Sequence, residues 1–579
     1  MKKIFYFAAS ALMMCSCADS FLSEEPVGEF LPGQVESEEN IEGIVTGAYA
    51  VLDGYYASDA INSGCSNWQF GDVVSDDAYK GGGGTGDQNQ IHLMEIFNAN
   101  PTGIDFEARW AALYEGIKRC NQAIRLLNGS EVKNKEQRLA EMRFLRGHYY
   151  FNLKIIYNQI PWIDETLVDP NEYNKKSNIE FSSDQLWEKI LEEFSAAYKV
   201  LPESQADYGR PTKMAARAYM AKVYLYQSKW KECLEACDEV IQSGKYELFP
   251  DFRNVFLPEN DNCSEIIFAI QLSINDGSPN NENGSYGDRL LPPGGPYPVY
   301  GFLRPTQNLV NAYKTDVKGL PYNDGKDVSE NDYVDVRLDH TLARPNIPFM
   351  DVQLYDWTPR EASVYGPYSP KKRLVSLNST YYSPIWPYVN ALNFYVIRYA
   401  DLLLWRAEAA IETGDLETGR KYINMIRERA KNTQHVKTMD QSQDAANYKV
   451  GVYDEPFKSK NEAVQALRME RRLEMAHEGI RFFEDLEKLD CHGIGLTTLN
   501  VGKNFKLKEL DCSQNQLKKS VDILSSGLKK LNCSNNKLTH MNLGIRSGLN
   551  LEEVNCSNNK ITNIVMDSVG ELVKFDCSN

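Results

Sequence analysis

Up to residue 486, apolar residues recur at intervals of three and four along several long stretches, and this spacing predicts amphipathic helices. The stretches are residues 106–127, 135–157, 213–248, 397–430 and 463–486. In residues 213–248, Ala215, Ala218 and Ala221 lie on one predicted helix and Trp230 begins the next. Small residues where two helices cross, with an aromatic residue opening the second helix, are typical of tetratricopeptide-like pairs. We therefore predict a mainly α-helical fold in which Tyr224 and Trp230 are buried between helices.

Between about residues 250 and 390 the helical spacing is replaced by a segment rich in Gly, Pro, Asn and aromatic residues. Long irregular segments on a rigid helical scaffold are usually either functional or disordered. The density of aromatic residues favours an ordered segment. We expect this loop-rich insert to carry a ligand site.

Composition excludes several classes of protein. The 63 Lys and Arg against 80 Asp and Glu give a net charge of −17, whereas nucleic-acid binding needs clustered Lys and Arg. With 42% hydrophobic and 25% charged residues, the chain is neither largely disordered nor a polytopic membrane protein. His92 and Glu95 share a predicted helical face, but no further ligands accompany them, so neither a metal nor another cofactor is predicted.

The first twenty residues have the pattern of a secretory signal: Lys2 and Lys3, an apolar run over residues 4–14, and then small residues. The run is too short to span a bilayer. The sequence around Cys15 and Cys17 resembles a bacterial lipobox, and Cys17 fits better because Ser16 precedes it. The alternative is ordinary secretion with cleavage nearby. We expect a signal peptide over residues 1–16 and a lipid on Cys17, which would attach the protein to a membrane without spanning it.

Five segments occur in the order that one protein family shows. They are NWQFGDVVSDDAYKGG (67–82), AEMRFLRGHYYFNLKIIYNQIPWI (140–163), RPTQNLVNAY (304–313), IRYADLLLWRAEA (397–409) and ERRLEMAHEGIRFF (470–483). With the lipobox, they resemble the SusD/RagB-type outer-membrane nutrient-binding lipoproteins over residues 17–486. The resemblance implies a non-catalytic lipoprotein, exposed on the outer membrane, that captures oligosaccharides or other nutrients for a TonB-dependent transporter of the SusC type. The helical pairs would face that partner, and the insert would bear the ligand.

Sugar rings carry apolar C–H faces that stack on aromatic side chains, while polar neighbours bind the hydroxyls. The aromatic candidates are Trp68, Tyr297, Tyr300, Trp357, Tyr381, Tyr382 and Trp386, and the polar candidates are Asn67 and Arg360. Packing in the core is the alternative role for each of them. Because prolines place Trp357 and Trp386 in loops, these two are the strongest candidates, and Trp386 is expected to be at least partly exposed.

A surface glycosidase that uses loop carboxylates is an alternative function. Asp72, Asp76 and Asp77 lie close together in the sequence, and glycoside hydrolysis needs a pair of acids. A role in a loop or a helix cap is the preferred interpretation of these residues, since any Asp-rich chain offers such pairs.

The composition changes abruptly at the C-terminal end. Residues 488–579 contain no Trp, Tyr or Pro, and their 12 Lys and Arg exceed their nine Asp and Glu. Five similar segments follow one another, such as LKELDCSQNQL and LKKLNCSNNKL, with their cysteines spaced 21, 21, 23 and 21 residues apart. This pattern resembles a leucine-rich repeat, so residues 487–579 are predicted to form a short, incomplete solenoid of α/β-type coils.

Within each predicted repeat, one apolar residue and one cysteine point into the core; the apolar residues are Leu489, Leu510, Leu531, Val554 and Phe575. Asn515, Asn536 and Asn559 are expected to form a ladder that satisfies backbone groups. Stacked coils lie about 4.8 Å apart, whereas disulfide Cβ atoms lie about 3.5–4.5 Å apart, so equivalent cysteines should remain thiols.

The boundary near residue 487 fits either a natural fusion or a joint between two unrelated genes. A repeat-driven adhesion or protein-interaction lipoprotein is therefore a further alternative function.

Overall fold

The structure of the chain is a computed structural model. It describes residues 37–55, 64–100, 103–350, 352–354, 358–485, 488–491, 496, 499, 507–518, 528–543, 551–565 and 572–578. The predicted signal peptide and Cys17 lie outside these residues, as does Trp357.

The described part of the chain is mainly helical up to residue 485. Its α-helices are, in order, α1 (Glu38–Tyr49), α2 (Asn89–Glu95), α3 (Ile104–Asn128), α4 (Lys135–Tyr157), α5 (Pro170–Tyr173), α6 (Ser183–Val200), α7 (Lys213–Tyr226), α8 (Trp230–Gln242), α9 (Phe252–Val255), α10 (Gln307–Ala312), α11 (Arg337–Thr341), α12 (Ala362–Tyr365), α13 (Tyr399–Glu412), α14 (Leu416–Lys431) and α15 (Lys460–Met475). Each predicted stretch contains a long helix, but α6 lies outside these stretches and α15 ends at Met475, before the predicted end at residue 486. Among the described residues, no helix combines the length and the hydrophobicity that crossing a bilayer requires.

Consecutive long helices pack against each other in pairs, from α3 with α4 to α7 with α8 and α13 with α14. Gly116 allows α3 to pack closely against α4, because a Cβ at this position would lie 2.4 Å from the ring of Tyr149 on α4. The sequence also defines where helices begin. Ser182 and Gln185 form a capping box at the start of α6, and the Thr212 side chain accepts a hydrogen bond from the Ala215 N–H at the start of α7.

Aromatic residues fill the space between these helices. Phe194 of α6 stacks on Tyr219 of α7 with ring centroids 4.3 Å apart, and Phe144 of α4 meets both rings edge-on. Tyr224 and Trp230, predicted to be buried, are only partly covered and pack at the edge of this core. Both lie close to a helix end, where fewer neighbouring side chains surround a ring than in the middle of a helix.

The insert consists of short strands and turns. Its strands, with those flanking it, are β1 (Ala78–Gly81), β2 (Ile266–Ile270), β3 (Phe302–Pro305), β4 (Lys314–Thr315), β5 (Tyr333–Val334), β6 (Leu342–Ala343), β7 (Pro348–Phe349), β8 (Val352–Leu354), β9 (Ser369–Pro370), β10 (Phe394–Arg398) and β11 (Asn447–Tyr448). Two antiparallel pairs tie the insert to the helices, because β3 pairs with β1 and β10 pairs with β2.

Helix α15 and the turn after it carry a buried ionic network. Glu474 lies between three arginines of other elements, with Arg337 Nη1 at 3.0 Å, Arg398 Nη1 at 3.1 Å and Arg429 Nη2 at 2.5 Å. These groups are nearly inaccessible to solvent, so each charge depends on its partners for stabilisation. The ERRLEMAHEG segment therefore joins the insert to the helical body.

After residue 487 the described chain forms parallel strands at the repeat spacing. They are β12 (Lys488–Asp490), β13 (Glu509–Asp511), β14 (Lys530–Asn532), β15 (His540–Asn542), β16 (Glu553–Asn555), β17 (Asn563–Val565) and β18 (Lys574–Asp576). One parallel sheet has the order β12-β13-β14-β16-β18 and aligns equivalent repeat positions.

Asparagine side chains connect successive turns of this region. Asn536 Nδ2 donates to the carbonyl oxygens of Cys512 and Cys533, both at 3.0 Å, and its Oδ1 accepts from the Leu517 N–H. Asn515 and Asn559 make equivalent hydrogen bonds. The four cysteines from Cys491 to Cys556 are buried free thiols, and Cys577 is an exposed one.

Candidate functional site

An exposed aromatic platform lies on the loop after residue 376. Trp386 has 56% of its surface exposed, Tyr381 has 38% and Ile385 has 66%. The loop folds back on itself, because the Ser383 N–H donates to Val389 O at 2.9 Å and the Ala391 N–H donates to Tyr381 O at 3.0 Å. Large apolar side chains held on a closed loop provide a surface on which a ring can stack.

The loop is fastened to a neighbouring segment of the insert. Asn390 exchanges two hydrogen bonds with Ser285, each of 3.0 Å, one from the Ser285 N–H and one to the Ser285 hydroxyl. Beneath the loop, Tyr382 is buried, and its ring lies 6.2 Å from that of Tyr297. Burial, with the nearby phenols of Tyr388 and Tyr300, raises the pKa of Tyr382 to about 12. These contacts hold the platform in a defined position.

Arg289 supplies a polar group at the edge of the platform. Its guanidinium carbon lies 5.7 Å from the centre of the Trp386 ring and 5.6 Å from that of Tyr286, so the side chain sits between two aromatic rings. Within the part of the chain that the structure describes, the buried Nε of Arg289 has no hydrogen-bond partner. An arginine positioned in this way can donate to the hydroxyl groups of a ligand stacked on Trp386.

Arg360 lies in a second polar region of the insert. Its Nη1 is 3.1 Å from Asp87 Oδ2 and 3.5 Å from the carbonyl oxygen of Tyr300, and about a third of its side chain is exposed. Gly83 permits this contact, because a Cβ there would lie 2.2 Å from the guanidinium. Tyr300 is half-buried between this ion pair and Tyr382.

Three predicted aromatic residues are covered by protein. Trp68 is 1% exposed and donates from Nε1 to Gly287 O at 2.9 Å, and Tyr297 is 3% exposed and donates to Val375 O at 3.0 Å. Tyr382, at 8%, supports the platform from below. Asn67 is partly buried and accepts a hydrogen bond from Arg109. As packed here, Trp68 and Tyr297 offer no ring face to a ligand, because each lies in the core.

The structure therefore places Tyr381 and Trp386 of the predicted set on one loop, whereas Tyr300 lies beside Tyr382 and contacts Arg360. Sequence reasoning missed Arg289 and Tyr286, which lie almost a hundred residues before Trp386. Their contact depends on the tertiary fold, and no local motif marks it.

Two of the three loop acids are engaged in ion pairs. Arg481 Nε donates to Asp76 Oδ1 at 3.0 Å, and Arg472 Nε donates to Asp77 Oδ1 at 2.7 Å. Burial alone would raise the pKa of Asp76, but the charges of Arg481 and Arg472 outweigh it and lower the pKa to about 2. Burial raises the pKa of Asp72, which is 1% exposed and accepts from the Gly479 N–H. These contacts join residues 72–77 to residues 472–481, which is a structural role.

No group of three or more His, Cys, Asp or Glu side chains is arranged to hold a metal ion in the described part of the chain. His92 Nδ1 instead pairs with Glu95 Oε2 at 3.0 Å.

Comparison with known proteins identifies relatives for the region before the repeats. A model of the SusD family matches residues 264–487, and a model described as "Starch-binding associating with outer membrane" matches residues 20–225. A SusD-like protein P25 from Formosa agariphila is 23% identical over 486 residues, covering 77% of this chain and 84% of that protein. A SusD-like protein from Bacteroides ovatus is 24% identical over 471 residues, covering 74% and 76% respectively.

Solved structures share the fold. A laminarin binding SusD-like protein matches with a TM-score of 0.59 at 23% identity, covering 77% of this chain and 90% of that one. The surface glycan-binding protein A from Bacteroides thetaiotaomicron, solved in complex with laminarihexaose, matches with a TM-score of 0.57 at 22% identity, covering 77% and 88%.

Proposed function

We propose that this chain, which belongs to the SusD/RagB family, binds oligosaccharide at the bacterial outer membrane and does not catalyse its cleavage. Members of the family are associated with the outer membrane. The proposed site is the platform of Tyr381 and Trp386, with Arg289 as hydrogen-bond donor and Tyr300 and Arg360 extending it. The proposed ligand is a sugar because the relatives of this fold include glycan-binding proteins.

The observation that carries the proposal is the exposure of Trp386 beside Arg289. Trp386 is 56% exposed, and with the exposed Ile385 and Tyr381 it forms an apolar patch on one closed loop, as binding sites do. A pyranose ring would cover its apolar face, and its hydroxyls would satisfy the guanidinium. Of the loop acids of the alternative glycosidase, Asp76 and Asp77 are ion-paired with arginines and Asp72 is only 1% exposed, which leaves the binding function better supported.

The experiment is affinity electrophoresis in native gels that each contain one neutral polysaccharide, including laminarin and starch. At least one polysaccharide should retard the protein, and Trp386→Ala should reduce the affinity about tenfold or more. Tyr322→Ala is the matched control, because Tyr322 is 47% exposed and lies outside the platform. Failure of every polysaccharide to retard the wild-type protein would refute the proposal. Release of reducing ends that is lost in Asp76→Asn would favour the glycosidase.

We also propose that the protein is held on the membrane by a lipid on Cys17 and passes its ligand to a SusC-type TonB-dependent transporter. Metabolic labelling with a fatty acid should modify the wild-type protein and Cys15→Ala but not Cys17→Ala. Purification from native membranes should recover a transporter of this class together with the protein. Equal labelling of the wild-type protein and both variants would contradict the proposed anchor.

For residues 488–578 we propose a leucine-rich-repeat solenoid that acts as an interaction module. The parallel sheet, the buried cysteines and the asparagine hydrogen bonds support this assignment. If adhesion through the repeats is the main function, partner binding should persist when only Trp386 and its neighbours on the platform are changed to alanine.

A further inference from the structure

A cavity lies where helix α1, the loop between α6 and α7, the end of strand β2 and Asn283 meet. Its volume is about 360 Å³. Among the residues that line it are Asp53, Tyr208, Gly209, Arg210 and Gln271. The cavity is open to solvent and large enough for about one or two sugar rings.

Tyr208 provides an aromatic surface in this cavity. It is 79% exposed, the highest exposed fraction of any tyrosine among the described residues. Its neighbour Gly209 has a φ of +83°, and a Cβ there would lie 2.6 Å from Gln271 Cγ, so the loop rests directly on the Gln271 side chain. Gln271 is itself fixed by reciprocal amide hydrogen bonds with Asn262 of 2.9 and 3.0 Å. Tyr208 therefore sits on a firmly held loop.

Arg210 fixes the other end of the same loop. Its guanidinium is within 2.7 Å of Glu141, 3.3 Å of Glu42 and 3.1 Å of Asp207, so its charge is fully engaged. Arg138 also pairs with Glu42 and Glu141, so three carboxylates face two arginines. The remaining negative charge disfavours anionic ligands such as sulfated or uronic-acid sugars.

Asp53 supplies a polar group that lacks a partner. Its Oδ1 is shielded from solvent and accepts no hydrogen bond from any described residue. Burial, together with the negative charge of Glu282, raises the pKa of Asp53 to about 7. Asp53 as a whole is only partly buried and lines the cavity, so a ligand hydroxyl can hydrogen-bond with the rest of its carboxyl group. A hydroxyl suits this group in either protonation state, since it can both donate and accept.

We propose that this cavity is a second binding site for a neutral saccharide, with Tyr208 stacking on a sugar ring and Asp53 binding a hydroxyl. The inference rests on the proposed function in one respect, namely that the ligand is carbohydrate. Two sites on one chain would retain a long glycan by multivalency, because a ligand released from one site would still be held at the other.

The test is equilibrium dialysis and titration calorimetry of the full chain with a panel of neutral hexasaccharides, including laminarihexaose and maltohexaose. The best ligand should bind at two sites per chain. Tyr208→Ala and Trp386→Ala should each leave one site, with affinity at the altered site reduced about tenfold or more, and the double variant should retain neither. Asp53→Asn should weaken the Tyr208 site alone, and Tyr322→Ala should change nothing.

The outcomes separate the two proposals. One site per chain that is lost in Trp386→Ala and unaffected by Tyr208→Ala would overturn the second site and leave the proposed function intact. One site that is lost only in Tyr208→Ala would support the second site and overturn the Trp386 platform. Binding of none of the neutral hexasaccharides to the wild-type chain would overturn both. Stronger binding of a sulfated hexasaccharide at the Tyr208 site would overturn the assigned ligand class.

Discussion

Side chains from three helices converge on the buried carboxylate of Glu484. Replacing Glu484 by glutamine therefore tests how much this contact between the helices stabilises the fold. Tyr226 donates to Oε1 at 3.0 Å, Lys222 Nζ lies 3.2 Å from the same oxygen, and Trp405 Nε1 donates to Oε2 at 3.4 Å. Arg471 also pairs with Oε2. The Glu484 side chain is 1% exposed, so solvent screens these interactions little.

The pKa of Glu484 gives the size of the expected effect. Burial alone would raise it, but the positive charges of Lys222 and Arg471 outweigh burial and lower the pKa from 4.5 to about 2. At about 1.4 kcal/mol per pKa unit, this corresponds to about 3 kcal/mol of unfolding free energy at neutral pH. Because the pKa is lower in the folded state, this stabilisation is complete above pH 4.5 and is lost as the pH falls towards 2.

The measurement is urea unfolding followed by tryptophan fluorescence at several pH values. Glu484→Gln should lower the unfolding free energy at pH 7 by about 3–5 kcal/mol, with an unchanged dependence on urea concentration, and the difference from wild type should shrink below pH 4.5. The control Glu428→Gln removes an exposed ion pair with Lys431 and should change the free energy by less than about 0.5 kcal/mol. A pH-independent difference, or none at pH 7, would refute the reasoning.

Three further predictions concern packing, the repeats and the thiols. Gly116→Ala should destabilise the protein by about 1–3 kcal/mol because the new Cβ would meet the Tyr149 ring at 2.4 Å, whereas Gly43→Ala, with nothing within 4 Å, should stabilise it by about 0.5–1 kcal/mol in the same urea titrations. Asn536→Ala should speed amide hydrogen exchange across the strands of the repeats, since each buried backbone group it leaves unpaired costs about 1–3 kcal/mol; unchanged exchange would contradict the ladder. A thiol reagent should label the exposed Cys577 rapidly in the native protein, and the buried repeat cysteines only after unfolding; equal rates would show that the burial is wrong.

Much of the helical fold can be predicted from local patterns in the sequence. The spacing of apolar residues locates α4 at Lys135–Tyr157, as predicted, because an amphipathic helix needs only its own residues to reveal its buried face. The partial exposure of Tyr224 and Trp230 was not predictable in the same way, since it depends on how far the neighbouring helix extends.

The candidate site is harder to predict from the sequence than the helices are. Tyr297 and Trp386 both lie in segments rich in Pro and Gly, yet one is buried and the other exposed. Their surroundings are set by contacts between distant segments, such as the hydrogen bonds between Ser285 and Asn390. Proline and loop composition correctly favoured exposure of Trp386, but no local pattern indicated Arg289 as its neighbour.

The most direct test of the binding site is a crystal structure of the protein with the hexasaccharide that it binds most tightly. We expect a sugar ring stacked on Trp386 at about 4 Å, with a hydroxyl accepting a hydrogen bond from Arg289. A saturated complex in which Trp386 remains uncovered and the ligand contacts neither residue would contradict the proposed site.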